Sequence, residues 1–166
     1  MSIDKNNAFI DYLLKCPQML NSPLYFNFIN AKDNTNQIVT NSDDRSMSSP
    51  YVDGSVKRRY TYTIITFKSI TDIPLAKAVG TDTRLPNENV EDLASFQAII
   101  DWIAEQADKH EYPDFGENCQ MDDIYTTTDA PRFDGINTDV SPSMAMYSID
   151  IVIDYIDISK AIWKQS

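Results

Sequence analysis

Tyr147, Ile149, Ile151, Ile153 and Tyr155 alternate without a break with Ser148, Asp150, Val152, Asp154 and Ile156. Successive side chains of a strand point to opposite faces, so this pattern predicts a strand with one apolar, buried face and two carboxylates on the other. A strand cannot bury a face alone, and the rest of the chain must supply what packs on it. Lys57–Ile70 is the other strong β signal, because Tyr60, Tyr62, Ile64, Ile65 and Phe67 fit a pleated, half-buried surface. Both of its faces are partly apolar, which predicts a central strand with one face on the core and the other against a neighbouring element or subunit.

Helical spacing supplies the packing elements. Asp4 is placed to cap a short helix to about Lys15, with Phe9, Ile10, Leu13 and Leu14 as its apolar stripe and Pro17 as its stop. A longer helix is predicted from Val90 to about Lys109, capped by Asn87 or Asn89, with Leu93, Phe96, Ile100, Ile103 and Ala107 on one face. Glu88, Glu91 and Asp92 suit its N-terminal end, and Lys109 and His110 the opposite end. Ile99 and Trp102 fall off the main stripe and suggest a second apolar patch. Leu24–Ile29 and Gln120–Thr127 read as strands, Thr71–Asn89 as a connection and Thr128–Pro142 as a turn-rich loop. Asn30–Val56 is dense in Asn, Ser, Asp and Thr; apart from a short strand at Gln37–Thr40, it reads as a long polar loop that is mobile until a neighbour orders it. The chain has 166 residues, 42% of them hydrophobic, enough for one core. The expectation is a single small α+β domain, a mostly antiparallel sheet packed by a short N-terminal helix and one long helix.

Charge narrows the function. The 25 acidic and 14 basic residues leave a net charge of −11, which disfavours sequence-independent binding to the outside of duplex DNA, since that affinity comes from Lys and Arg displacing counterions. No stretch reaches the roughly 18 consecutive apolar residues of a membrane helix, and Met1–Lys15 lacks a secretory pattern, so the reading is cytosolic, with no membrane partner. Cys16 and Cys119, the only thiols, fit reducing conditions better than a disulfide scaffold.

The candidate chemistry is sparse. Asp122 with Asp123, and Asp150 with Asp154, are the carboxylate pairs to consider for a divalent metal or acid–base work; the competing reading is a solvated acidic face. His110 is the sole histidine and has no nucleophile motif beside it. Gly54, Gly80, Gly116 and Gly135 are the only glycines and none precedes Lys, which excludes a phosphate-cradling loop of that type. Lys57, Arg58 and Arg59 form the one basic cluster: either a guard on an edge strand or a docking patch for an acidic neighbour, another copy of the chain included. The expectation is a protein that binds other proteins, with no catalytic residue, metal or cofactor assigned.

Several of these features in order are similar to the tail terminator proteins of tailed bacteriophages, particularly those infecting Gram-positive hosts. They are the short N-terminal helix, the strand Arg59–Phe67, the helix with Ile100-Asp101-Trp102-Ile103, the stretch Tyr112-Pro113-Asp114-Phe115-Gly116-Glu117-Asn118-Cys119 and the strand Ser148–Tyr155. The resemblance implies a virion protein at the head-proximal end of the tail, assembled in the host cytoplasm. It implies a homohexameric ring that caps the tail tube, ends its polymerisation and meets a head–tail connector or stopper protein, while genomic DNA passes without specific binding. Acidic residues facing such a lumen would repel phosphate. On this reading Lys57, Arg58, Arg59, Tyr60, Tyr62 and Ile64 are the subunit-interface candidates, and Asp150 and Asp154 the lumen-facing ones. Another head–tail junction or minor virion subunit, and a metal-dependent enzyme using the Asp clusters, are the alternatives.

Overall fold

A computed structural model describes residues 4–21, 23–27, 35–44, 50–70, 88–138 and 143–164. It is an α+β fold. Helix α1 (Lys5–Leu13) is followed by a 3-10 turn (Pro17–Asn21), β1 (Leu24–Phe26), β2 (Thr35–Asp44), β3 (Val56–Ser69), helix α2 (Glu88–Asp108), β4 (Cys119–Thr126), β5 (Arg132–Asn137), β6 (Met144–Asp157) and a final 3-10 turn (Ile162–Lys164). The sheet runs β1-β2-β3-β6-β4, with β5 also on β6; among the described residues only β1 and β2 pair in parallel.

The alternating strand is the spine of the sheet. β6 pairs along its whole length with β3, from Val56↔Asp157 to Ser69↔Met144. Its other edge is shared: β4 takes Ile151–Asp157, β5 takes Met144–Ser148, and the chain bulges out between them after the Thr127 N–H donates to the Asp150 carbonyl at 3.0 Å. Register puts Tyr60, Tyr62 and Ile64 opposite Ile153, Ile151 and Ile149, so one face of the sheet is apolar across both strands.

Both helices cover that face. Phe96, Ile99, Ile100 and Ile103 of α2 and Phe9, Tyr12 and Leu13 of α1 form one buried cluster with Ile38, Tyr62, Ile64, Ile124, Ile149, Ile151 and Ile153. Phe9 stacks on Tyr62 with ring centroids 4.0 Å apart, and the Tyr62 hydroxyl donates to Asn6 Oδ1 at 2.9 Å, so β3 holds α1 through both a ring and a polar contact. Asp4 caps α1 by accepting from the Asn6 N–H at 2.9 Å. Phe115 lies edge-on to Tyr155 and carries the stretch after α2 into the same core. At the end of α2, His110 adopts a left-handed φ of 56°; its N–H donates to the Ala107 carbonyl and that of Glu111 to the Gln106 carbonyl. That pair of bonds closes the helix, a position more often held by glycine.

Several local expectations need correction. Tyr12, not Leu14, completes the buried stripe of α1, because its ring reaches Trp102 and its hydroxyl the Glu111 carbonyl. Ile99 belongs to the main core, since two strands present a surface wider than one helical stripe. Asn89 lies inside α2 rather than capping it, and Asn87 lies outside the described residues. Thr35–Asp44, read as mostly loop, is a ten-residue strand paired with β3. Its polar residues suit a strand because the ladder satisfies the backbone, and Ile38 joins the apolar core. Thr128–Pro142 contains β5, which the Gly135 bulge, at φ 118°, hid from an alternation test. Residues 28–34, 45–49 and 71–87 lie outside the described residues.

Candidate functional site

The second face of β3 and β6 carries the charged residues that the sequence singled out. Neither helix packs on it among the described residues, yet Phe67, Val152 and Asp154 are buried there. Pairing at Arg59↔Asp154 and Thr63↔Asp150 sets the cations and hydroxyls of β3 beside the carboxylates of β6.

Arg59 donates to Asp154 through two nitrogens, Nε to Oδ1 at 2.8 Å and Nη2 to Oδ2 at 3.1 Å. This forked geometry is the strong form of an Arg–carboxylate pair. The Asp154 side chain is only 8% exposed and that of Arg59 35%, so the pair is screened less than a surface bridge. Asp150 accepts from the Thr63 hydroxyl at 2.6 Å and from Arg132 Nη1 at 2.8 Å, while Arg132 Nε donates to Asp134 at 2.7 Å. The two carboxylates push the Arg132 guanidinium still further toward its charged form. Lys57 reaches Asp122 at 3.1 Å, and the hydrogen bond and charge of that carboxylate raise the lysine's pKa. The β4 bulge between Met121 and Asp123 makes this possible, because an extra residue lets Asp122 reach the face that Asp123 also occupies opposite Asp154.

Arg58 points the other way, as alternation requires, and its Nε donates to Asp157 at 2.9 Å. Burial pushes the Asp157 carboxyl up, but the Ser159 hydroxyl and N–H and the Arg58 guanidinium outweigh it and hold the group below the usual carboxylate range.

These placements change the candidate site. Lys57, Arg58 and Arg59 are not one patch: the strand divides them between two faces, and each meets a carboxylate of its own chain. Tyr62 and Ile64, expected at a subunit interface, are fully buried in the core, Tyr62 against Phe9 of α1, and Tyr60 packs against the same cluster. Asp154, expected to face a lumen, is 5% exposed and bound to Arg59. Asp150 is half-buried between Thr63 and Arg132. Sequence reasoning missed Asp157 and Arg132 as partners, since only the β3–β6 and β5–β6 registers bring them close.

The other candidates have structural surroundings. His110 is exposed, with Nδ1 3.2 Å from the Tyr112 hydroxyl. Cys16 and Cys119 are free thiols, and burial raises the pKa of both. Among the described residues no three His, Cys, Asp or Glu side chains gather as metal ligands, and no helix is long and apolar enough to cross a membrane.

A different kind of surface stands at the end of the sheet beyond Asp157. Tyr51, Val52 and Trp163 are exposed there, around a shallow depression that also includes Asp53, Ser55, Gln120, Ile156 and Ile158, and Ile162 beside Trp163 is exposed as well. The Ile162 N–H donates to the Asp53 carbonyl at 2.7 Å, tying the turn before β3 to the final 3-10 turn. Gly54, at φ 89°, completes the fit: a Cβ there would lie 2.5 Å from the Lys160 carbonyl oxygen. No family model matches this chain, and no curated protein is significantly similar to it.

Proposed function

We propose that the chain is a structural virion subunit, a tail terminator whose six copies close a ring on the head-proximal end of the tail tube, stop its growth and receive the head-completion proteins. The observation that carries this reading is the internal pairing of Lys57, Arg58, Arg59 and Arg132 with Asp122, Asp157, Asp154 and Asp150. A phosphate-binding enzyme directs cations toward its ligand, whereas here these four cations are turned onto the protein's own carboxylates. What remains is a chain of net charge −11, suited to a ring through which DNA slides without adhering. Asp150 and Asp154 are engaged by arginines, so the repulsive lining of such a channel falls to other carboxylates.

The test is to add the purified protein to polymerising tail-tube subunits and measure tube length by electron microscopy, with DNA retention on the assembled particles as a second readout. Shorter tubes bearing a ring at one end support the reading. Tubes of unchanged length and bare ends would overturn it.

A further inference from the structure

β4 and β5 share one edge of β6, but they hold it differently. β4 sends Ile124 into the core cluster, where it is fully buried. β5 contributes no side chain to that cluster among the described residues: Arg132, Phe133, Asp134 and Ile136 are exposed, and Gly135 and Asn137 only half-buried. Its middle is bulged between Phe133 and Gly135, and nothing lies within 4 Å of where a Gly135 Cβ would stand. A strand with so little buried apolar area gains little from packing.

What ties β5 down is its ladder to Met144–Ser148, the Phe133 ring on Tyr147 with centroids 5.5 Å apart, and Arg132, whose Nη1 donates to Asp150 at 2.8 Å. The Arg132 side chain is half exposed, so its bond to β6 is weakened by salt. The connection before β5 is anchored separately. The Thr127 N–H donates to the Asp150 carbonyl, and Gln97 Nε2 of α2 donates to the Asp129 carbonyl at 2.8 Å. Those bonds set a boundary: β5 can leave β6 without pulling β4 away.

The closed strand is also strained at one point. Ser148, in register with Arg132, is 1% exposed, and its hydroxyl is buried with no hydrogen-bond partner among the described residues. An unpaired hydroxyl is unfavourable when buried, because in water it would be hydrogen-bonded. Moving β5 aside opens a flank through which water reaches it. We infer that β5 is a latch, strained at Ser148, that opens on its own while β3, β4 and the rest of β6 stay paired. Opening leaves the β6 edge from Met144 to Ser148 as a row of unpaired N–H and C=O groups, so the sheet carries a gated strand edge. Segments with few buried apolar contacts are the ones that open locally in this way. The inference goes beyond the assembly reading and does not depend on it.

Residue-resolved amide hydrogen exchange of the full chain tests it by NMR, with Arg132→Ala and Ser148→Ala beside the wild type. In the wild type, the β5 amides that pair with β6 are expected to exchange at least about tenfold faster than those of Ile149 and Ile151, and to respond little to low denaturant, as a local opening does. Arg132→Ala should speed the β5 amides by up to about fivefold, an effect that fades in high salt. Should that variant not fold, added salt on the wild type reads the same tie. Ser148→Ala should act in the opposite direction, slowing the β5 amides by about fivefold or more, because the closed strand no longer buries an unpaired hydroxyl. Wild-type β5 amides that exchange as slowly as Ile149 and Ile151, with the same denaturant dependence, would overturn the latch. So would a Ser148→Ala chain whose β5 amides exchange no more slowly than those of the wild type.

Discussion

The two faces of β3 and β6 are built from the same backbone and the same register, yet they are held by different physics. On the helix side, Tyr62, Ile64, Ile149, Ile151 and Ile153 are fully buried, and their contribution scales with apolar area removed from water. On the opposite side, Arg59, Thr63, Asp150 and Asp154 meet through directed polar contacts whose gain is largely offset by lost hydration. The helix face should therefore carry most of the stability. The charged face should decide which strand positions lie side by side and whether the cations are available to anything else.

The largest effect that tests this division is Ile151→Ala, at a position opposite Tyr62 on β3 and Thr126 on β4. It should cost about 2–5 kcal/mol in chemical denaturation, from lost burial and the cavity left behind. A loss below about 1 kcal/mol would mean that the helix face is not the stabilising one.

Next in size is Asp154→Ala, which leaves Arg59 without its forked partner in a largely buried setting. We expect a loss of about 1–3 kcal/mol. In a double-mutant cycle with Arg59→Met the two losses should fall short of additive, and strict additivity would show that the pair does not act as a unit.

Acid should sharpen the comparison further. Asp157 has its folded-state pKa depressed, so its stabilisation is complete above the unfolded value near 4 and is lost as pH falls through the lower folded value. Below about pH 4 the slope of stability against pH should be shallower in Asp157→Asn than in the wild type. Equal slopes would remove Arg58–Asp157 from the account.

The smallest effect belongs to Arg132→Ala, whose side chain is half exposed. Its loss should be at most about 1 kcal/mol and should shrink in salt. A larger, salt-independent loss would show that the charged face stabilises more than this division allows.

Alternation of Tyr147–Tyr155, the 3.6-residue spacing in Leu93–Ile103 and the Asp4 cap sufficed to read the two helices, the spine strand and the α+β class from the chain alone. These signals are local: period and capping chemistry act within a few residues, whatever the rest of the molecule does. β5 and all of β2 but Gln37–Thr40 escaped because their pairing with a neighbour, rather than their own composition, makes them strands; polar residues and a glycine bulge leave no period to detect. The same limit applied to the site. Lys57, Arg58 and Arg59 look like a single patch in sequence, and Tyr62 like an accessible contact. Only the antiparallel register, which places Asp154 and Asp157 beside Arg59 and Arg58, and the seating of α1 on Tyr62 show otherwise. Residues nearly a hundred positions apart become neighbours through strand pairing, and no local pattern carries that distance.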